Sequence, residues 1–177
     1  GNAHLMPYMW GTTGIGYNVE KVAQVMGKDF KVDSWNVLFD PAIAKKLSAC
    51  GIALLDDEVE GLGAGLIYLG KAPKSGSAAD LTAVTNLYQP IRPFIRYFSS
   101  SRYIDDLANG DICIAMGYSG DVLQARDRAD EAENGVKVAY AIPKEGAIRW
   151  VDSAAIPKDA KNVAEAHAFL DYLMRPA

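Results

Sequence analysis

No stretch of 18 consecutive apolar residues occurs in this sequence, so it offers no candidate membrane-spanning helix. Cysteine and histidine are scarce, with two of each. His4 and His167 are far apart, and there is neither a CxxC nor a mixed His/Cys cluster, so no zinc site is expected. A nucleotide loop is also missing. Residues 11–16 read GTTGIG, which lacks the GxGxxG spacing and follows no strand. There is no GxSxG elbow and no Ser-His-Asp set, which argues against a small α/β hydrolase or transferase. No cofactor is implied. Basic charge is not in excess: 18 Lys and Arg stand against 22 Asp and Glu, for a net charge of −4. That weighs against nucleic acid as a partner and permits a cationic ligand. The chain does not begin with Met and shows no signal peptide, so its start tells little.

What is present is an ordinary globular composition, half hydrophobic and 23% charged, in 177 residues. That is enough for one good core, or one domain and part of another. Strand and helix patterns alternate. Gly14–Tyr17 reads as a strand with an aromatic lead-in, and Asn18 caps a helix over 19–26. Ser34 caps a helical turn that breaks at Pro41, before a second helix to Ala49. "GIALL" is a short strand, and a helix starts in Asp56-Asp57-Glu58, where acids suit the macrodipole. That helix carries "GLGAGLIYLG", whose small side chains call for close packing. A helix over 79–89, a strand in "FIRYF" and a short helix ending near Gly110 follow. Then come a strand over 112–116, a helix over 121–134, strands over 136–141 and 148–155, and a helix over 162–174. The alternation predicts an α/β fold with a mainly parallel sheet flanked by helices. The last helix has an apolar face of Ala166, Phe169, Leu170 and Leu173, which needs a partner. Both ends of the chain read as cut from something larger.

Three carboxylates fall at or near element ends: Glu60 in the first turns of a helix, Asp121 at a helix start, and Asp152 in a largely apolar strand. Ligand sites of parallel sheets lie at the carboxyl ends of the strands. Tyr118 precedes Asp121 by three residues, and Trp150 precedes Asp152 by two, on the same strand face. Taken singly, Asp121 reads as serving its helix N-terminus and Glu60 as a solvated helix residue. Asp152 needs a partner if buried. Taken together, acids and aromatics make a box for an organic cation, with carboxylates pairing ammonium groups and ring faces holding methylenes. With two or more acids and no Arg at the rim, an anionic substrate group is disfavoured. Cys50 and Cys113 each lie in or beside a strand, and read equally well as buried small hydrophobes or as one disulfide.

"PYMWGTTGIGYN", "IRYFSSSRYIDDLANGDICIAMGYSGDVLQA", "NGVKVAYAIPKEGA" and "AHAFLDYLMRP" strongly resemble the periplasmic polyamine-binding proteins of bacterial ABC transporters, the putrescine receptors above all. The resemblance runs along nearly the whole chain. It implies a type II periplasmic-binding-protein lobe architecture that closes on its ligand by hinge motion. It also implies no catalysis, export to the periplasm, and delivery of putrescine or spermidine to a membrane permease and its ATPase. Family members are longer. The chain is therefore expected to comprise the second lobe with its hinge crossings (1–147) and a return segment of the first lobe (148–177). By position, the resemblance assigns Glu60, Tyr118, Asp121, Trp150 and Asp152 to an acidic, aromatic-lined cleft between the lobes, and pairs Cys50 with Cys113. Tyr118 stands where the family usually has Trp. The rival expectations are a receptor for another solute or a sensor of the same fold, and the hydrolase.

Overall fold

A computed structural model describes residues 4–175; the outermost residues of both expected segments lie outside that range. The chain divides into two units, Thr12–Ile148 and the described residues of Gly1–Gly11 with Arg149–Ala177.

The larger unit begins in β1 (Met6–Asn18), which enters it at Thr12. Asn18 ends the strand in extended backbone, and its side chain accepts from Lys21 N at 2.9 Å, which starts α1 (Val19–Met26). Ser34 Oγ accepts from Asn36 N at 3.1 Å and opens the short α2 (Asn36–Phe39). Asp40 then caps α3 (Pro41–Leu47), with the proline at the first helical position, where its missing N–H costs nothing. After β2 (Ile52–Leu54), Asp57 caps α4 (Glu58–Tyr68). The glycines of α4 serve close packing, as their size predicts. A Cβ on Gly63 would come within 2.6 Å of Ile148, and one on Gly65 within 3.1 Å of Val84 on α5 (Ala78–Tyr88). β3 is only Tyr97–Phe98, because Arg92–Phe94 turns as a 3₁₀ helix around Pro93. There follow α6 (Arg102–Ala108), β4 (Ile114–Tyr118), α7 (Ser119–Glu131) and β5 (Val138–Ala141).

Strand order is β3-β2-β4-β1-β5. β2 pairs with β3 and β4 in parallel, while β1 pairs antiparallel with β4 and β5. Four strands therefore run one way and β1 alone runs against them. The α/β class holds, but the sheet is mixed, and its longest ladders are the antiparallel ones of β1. Alternation of strand and helix predicts parallel neighbours only where a crossover helix joins them. β1 reaches its place from the other unit and is free of that constraint.

The core packs Trp35, Phe39, Leu38, Leu47, Ile52, Leu54, Ile91 and Leu107 around the strands. Phe39 sits among the rings of Trp35, Tyr68 and Tyr88, with centroids 5.2–6.2 Å away. Cys50 and Cys113, just before β2 and β4, form a disulfide with Cα atoms 5.4 Å apart.

The smaller unit is built from the first half of β1, from β6 (Ile148–Ala154), which pairs with β1, and from α8 (Val163–Leu173). No residue of α8 is buried, and Phe169 and Tyr172 are more than half exposed. No helix among the described residues is long and apolar enough to cross a membrane.

The disulfide closes a loop of 63 residues. Replacing both cysteines by serine should cost about 2–5 kcal/mol. That would lower the melting temperature by roughly 5–15 °C in a chain of this size, read by thermal unfolding. A melting point within about 2 °C of the parent would show that the bridge carries no stability.

Candidate functional site

The site in the larger unit is assembled at the end of β4. Sequence periodicity places that strand over 112–116; in the structure it is displaced by two residues and runs on through Tyr118. α7 then begins at Ser119 with no intervening loop and no side-chain cap. The ladder sets Thr13 directly opposite Tyr118 and Gly14 opposite Gly117. Opposed residues share a sheet face, so Thr13 and Tyr118 lie side by side. On the other face, two facing glycines make room for two tyrosine rings. A Cβ on Gly117 would lie 2.5 Å from the Tyr103 ring, and one on Gly14 would lie 2.5 Å from the Tyr140 hydroxyl.

Those tyrosines tie the strand ends together. The buried Tyr103 hydroxyl donates to Asp121 Oδ2 at 2.8 Å and accepts from Tyr118 N at 3.0 Å. Asp121, in the first turn of α7, is thus oriented by a buried phenol, and it caps nothing with its side chain. Tyr140 donates to Thr12 O at 2.9 Å and pairs with Thr12 Oγ1 at 2.8 Å. Thr12 N donates to Ser119 Oγ at 3.2 Å, which joins β1 to the start of α7.

Glu60 is not the solvated helix residue that its spacing alone implies. It is only 7% exposed. Neither Glu60 Oε2 nor the wholly buried Thr13 Oγ1 has a hydrogen-bond partner. Burial raises the Glu60 carboxyl above its usual range; the adjacent Thr13 hydroxyl pulls it part of the way down, and the Asp57 charge pushes it further up. Tyr118, half-buried, is pushed up to about 12 by burial and by the charges of Asp57, Glu60 and Asp121, with a hydrogen bond to Asp57 adding to the effect. Three carboxylates therefore gather about one phenol. None of them takes part in an ion pair with a Lys, Arg or His among the described residues.

Sequence reasoning passed over Asp57, Thr13 and Tyr103. Asp57 reads as a helix-start acid, and Thr13 falls in the lead-in just before the expected strand of Gly14–Tyr17, in a run set aside as a false phosphate loop. The usable signal is strand alternation opposite Tyr118, but it requires the β1–β4 pairing first. Of the expected site residues, Glu60, Tyr118 and Asp121 come together in the larger unit. Trp150 and Asp152 belong to the smaller one, on β6, where Trp150 is half-buried and Asp152 exposed. Asp152 is thus not an acid buried in an apolar strand there.

The family model of the bacterial extracellular solute-binding proteins matches residues 1–177. The chain belongs to that family. It is 54% identical over 176 residues to the putrescine-binding periplasmic protein PotF of Escherichia coli, covering 99% of this chain and 48% of that protein. The putrescine-binding periplasmic protein SpuD of Pseudomonas aeruginosa is 52% identical over the same coverage. Among solved structures, the spermidine/putrescine ABC transporter substrate-binding protein PotD of Streptococcus pneumoniae aligns with a TM-score of 0.75 at 28% identity, over 99% of this chain and 49% of that one. The chain spans about half the length of the curated relatives it matches. Its fold is the mixed α/β fold of the type II periplasmic binding proteins.

A buried acid with a raised pKa favours the protonated protein. Its contribution is full below the unfolded pKa and is lost as pH rises through the folded one. Without ligand the protein should therefore lose stability as pH rises from 4.5, the ordinary Glu value, through the raised folded value. Glu60→Gln should remove that loss, and at pH 7 should melt about 2–4 °C above the parent. Thermal unfolding from pH 4 to 8 checks this; a Gln variant that melts lower at pH 7 would show that the Glu60 charge is already compensated.

Proposed function

We propose that this chain is the ligand-binding part of a polyamine receptor that serves an ABC transporter, taking putrescine or spermidine. The observation that carries this reading is the buried Glu60, whose Oε2 has no hydrogen-bond partner, within a group of three acids that makes no ion pair among the described residues. Acids gathered this closely repel one another, and an ammonium group relieves both the repulsion and the buried charge. A linear diamine supplies the cation on a flexible apolar stem, and Tyr118 offers a ring face to that stem. Asp121, held by Tyr103, and Glu60 are the acids of this unit that would take ammonium hydrogens. Trp150 and Asp152 enter the ligand set on the strength of the resemblance. Binding proceeds without chemistry: no bond in a polyamine is asked to break, and the site acts by charge and shape.

The printed descriptions of PotF and SpuD support the ligand class and a periplasmic location. The disulfide fits export to an oxidising compartment. The partner that follows from this role is a membrane permease. Free amino acids are poor candidates, because their carboxylate would be brought among acids.

Thermal unfolding with putrescine, cadaverine, spermidine and spermine tests the reading, with lysine and arginine as controls. A ligand at about a hundredfold over its dissociation constant should stabilise by roughly 2.7 kcal/mol, or about 5–10 °C here. Asp121→Asn and Asp152→Asn should each abolish most of the shift. No shift with any of the four amines overturns the reading, and an equal shift with lysine moves it to another solute.

A further inference from the structure

We propose that Glu145 is a positioning residue of the ligand set, pinning the root of β6, the strand that carries Trp150 and Asp152; this rests on the polyamine reading above. Glu145 lies in the connection between β5 and β6, and its two oxygens reach far back along the chain. Oε1 accepts from the Ser34 hydroxyl, and Oε2 accepts from Trp35 N at 3.2 Å. The rest of the turn is tied to the same place. Lys144 N donates to Asp33 O at 2.9 Å, and Gly146 O accepts from Trp35 Nε1 at 2.8 Å. Gly146 turns the chain there at a φ of +112°, where a side chain would be strained. Residues 144–146 are thus clasped to residues 33–35.

The anchor is firm: Ser34 is 2% exposed and Trp35 is wholly buried, with its ring against Phe39. Satisfying the buried Trp35 N–H needs one acceptor. The second carboxylate oxygen and the two flanking contacts fix the turn in direction as well. What the turn controls comes two residues on. Ile148 is the first residue of β6 and the last of the larger unit. Its side chain fills the space left by Gly63 of α4, where a Cβ would come within 2.6 Å of it. Gly63 follows Glu60 by three residues on the same helix. The strand is therefore rooted twice, by the clasp before Ile148 and by α4 at Ile148 itself. An extended strand advances roughly 3.3 Å per residue, so Trp150 and Asp152 lie only about 7 and 13 Å beyond that root. Asp152 is exposed and draws no fixed place from packing around it, so the root is what locates it. Side chains located before the ligand arrives have less freedom to lose on binding.

Glu145→Ala in the full chain removes both carboxylate contacts. Putrescine affinity, by calorimetry well below the melting temperature, should fall about tenfold. Hydrogen exchange read by mass spectrometry should quicken over residues 147–152 and stay unchanged over β4 and α7, where Tyr118 and Asp121 lie. Glu145→Gln should restore both properties. Its amide oxygen can take the Trp35 N–H and its amide nitrogen can donate to Ser34 Oγ, so the clasp survives without the charge. An acid with a merely structural role predicts faster exchange throughout the larger unit, and that outcome overturns the proposal. Full putrescine affinity in Glu145→Ala overturns it too, as does unchanged exchange over 147–152. If Glu145→Ala unfolds, Glu145→Asp decides by the same two readouts. One methylene shorter, it cannot hold both partners and should weaken putrescine severalfold, and full affinity there refutes the clasp as part of the site. A parent chain that binds no polyamine would instead sink the proposed function, and exchange over 147–152 in the variants would still decide whether Glu145 pins β6.

Discussion

A carboxyl group removed from water must be neutralised, bonded or paired, and Glu60 Oε2 has no hydrogen-bond partner among the described residues. The surroundings of Glu60 follow from that constraint. Asp57 adds charge in place of relieving it. Thr13 brings a hydroxyl close without forming a bond. Tyr118 and Tyr140 both feel the Glu60 charge and stay protonated. A core built only for stability would place a lysine or an apolar side chain here. The cost is tolerable because it is local, while the surrounding rings and strands are well packed.

The sheet is what makes the arrangement rigid. β4 delivers Tyr118 at its last residue, and β1 delivers Thr13 opposite it. Helices α4 and α7 start within a few residues of the ends of β2 and β4 and bring their acids to the same rim. Tyr103 and Tyr140 brace that rim from beneath, in space that exists because Gly14 and Gly117 have no side chains. Acids on neighbouring loops would drift apart under their own repulsion; these are held by strands and a buried phenol.

Much of this was legible in the sequence wherever the cause is local. Asn18 is a cap whose side chain bonds its own helix, so residue type and position suffice. The acid–aromatic pairing of Asp121 with Tyr118 was legible for the same reason, because a strand running into a helix sets both. The displacement of β4 by two residues was not, because it is fixed by the ladder with β1, a hundred residues earlier in the chain. The burial of Glu60 is likewise a matter of what packs over it. Helix spacing says which face a residue occupies and is silent on whether that face meets a strand or water. The direction of β1 could not be read from alternation, since no crossover helix delivers it. The roles of Asp57 and Tyr103 lie in contacts across 61 and 18 residues, and no short motif records them.

The disulfide is also a mechanical part. Cys50 and Cys113 lie at the roots of β2 and β4, and the far ends of those strands lead to Asp57 and Tyr118. Between them the ladder has just two residue pairs, Ile52 with Ile114 and Ala53 with Ala115. Two rods so briefly joined can scissor; a covalent pin at one end turns them into a fork with fixed tines. The spacing between the tine tips, and with it the reach from acid to ring, is then set far from the ligand, by chemistry that is complete before any ligand arrives.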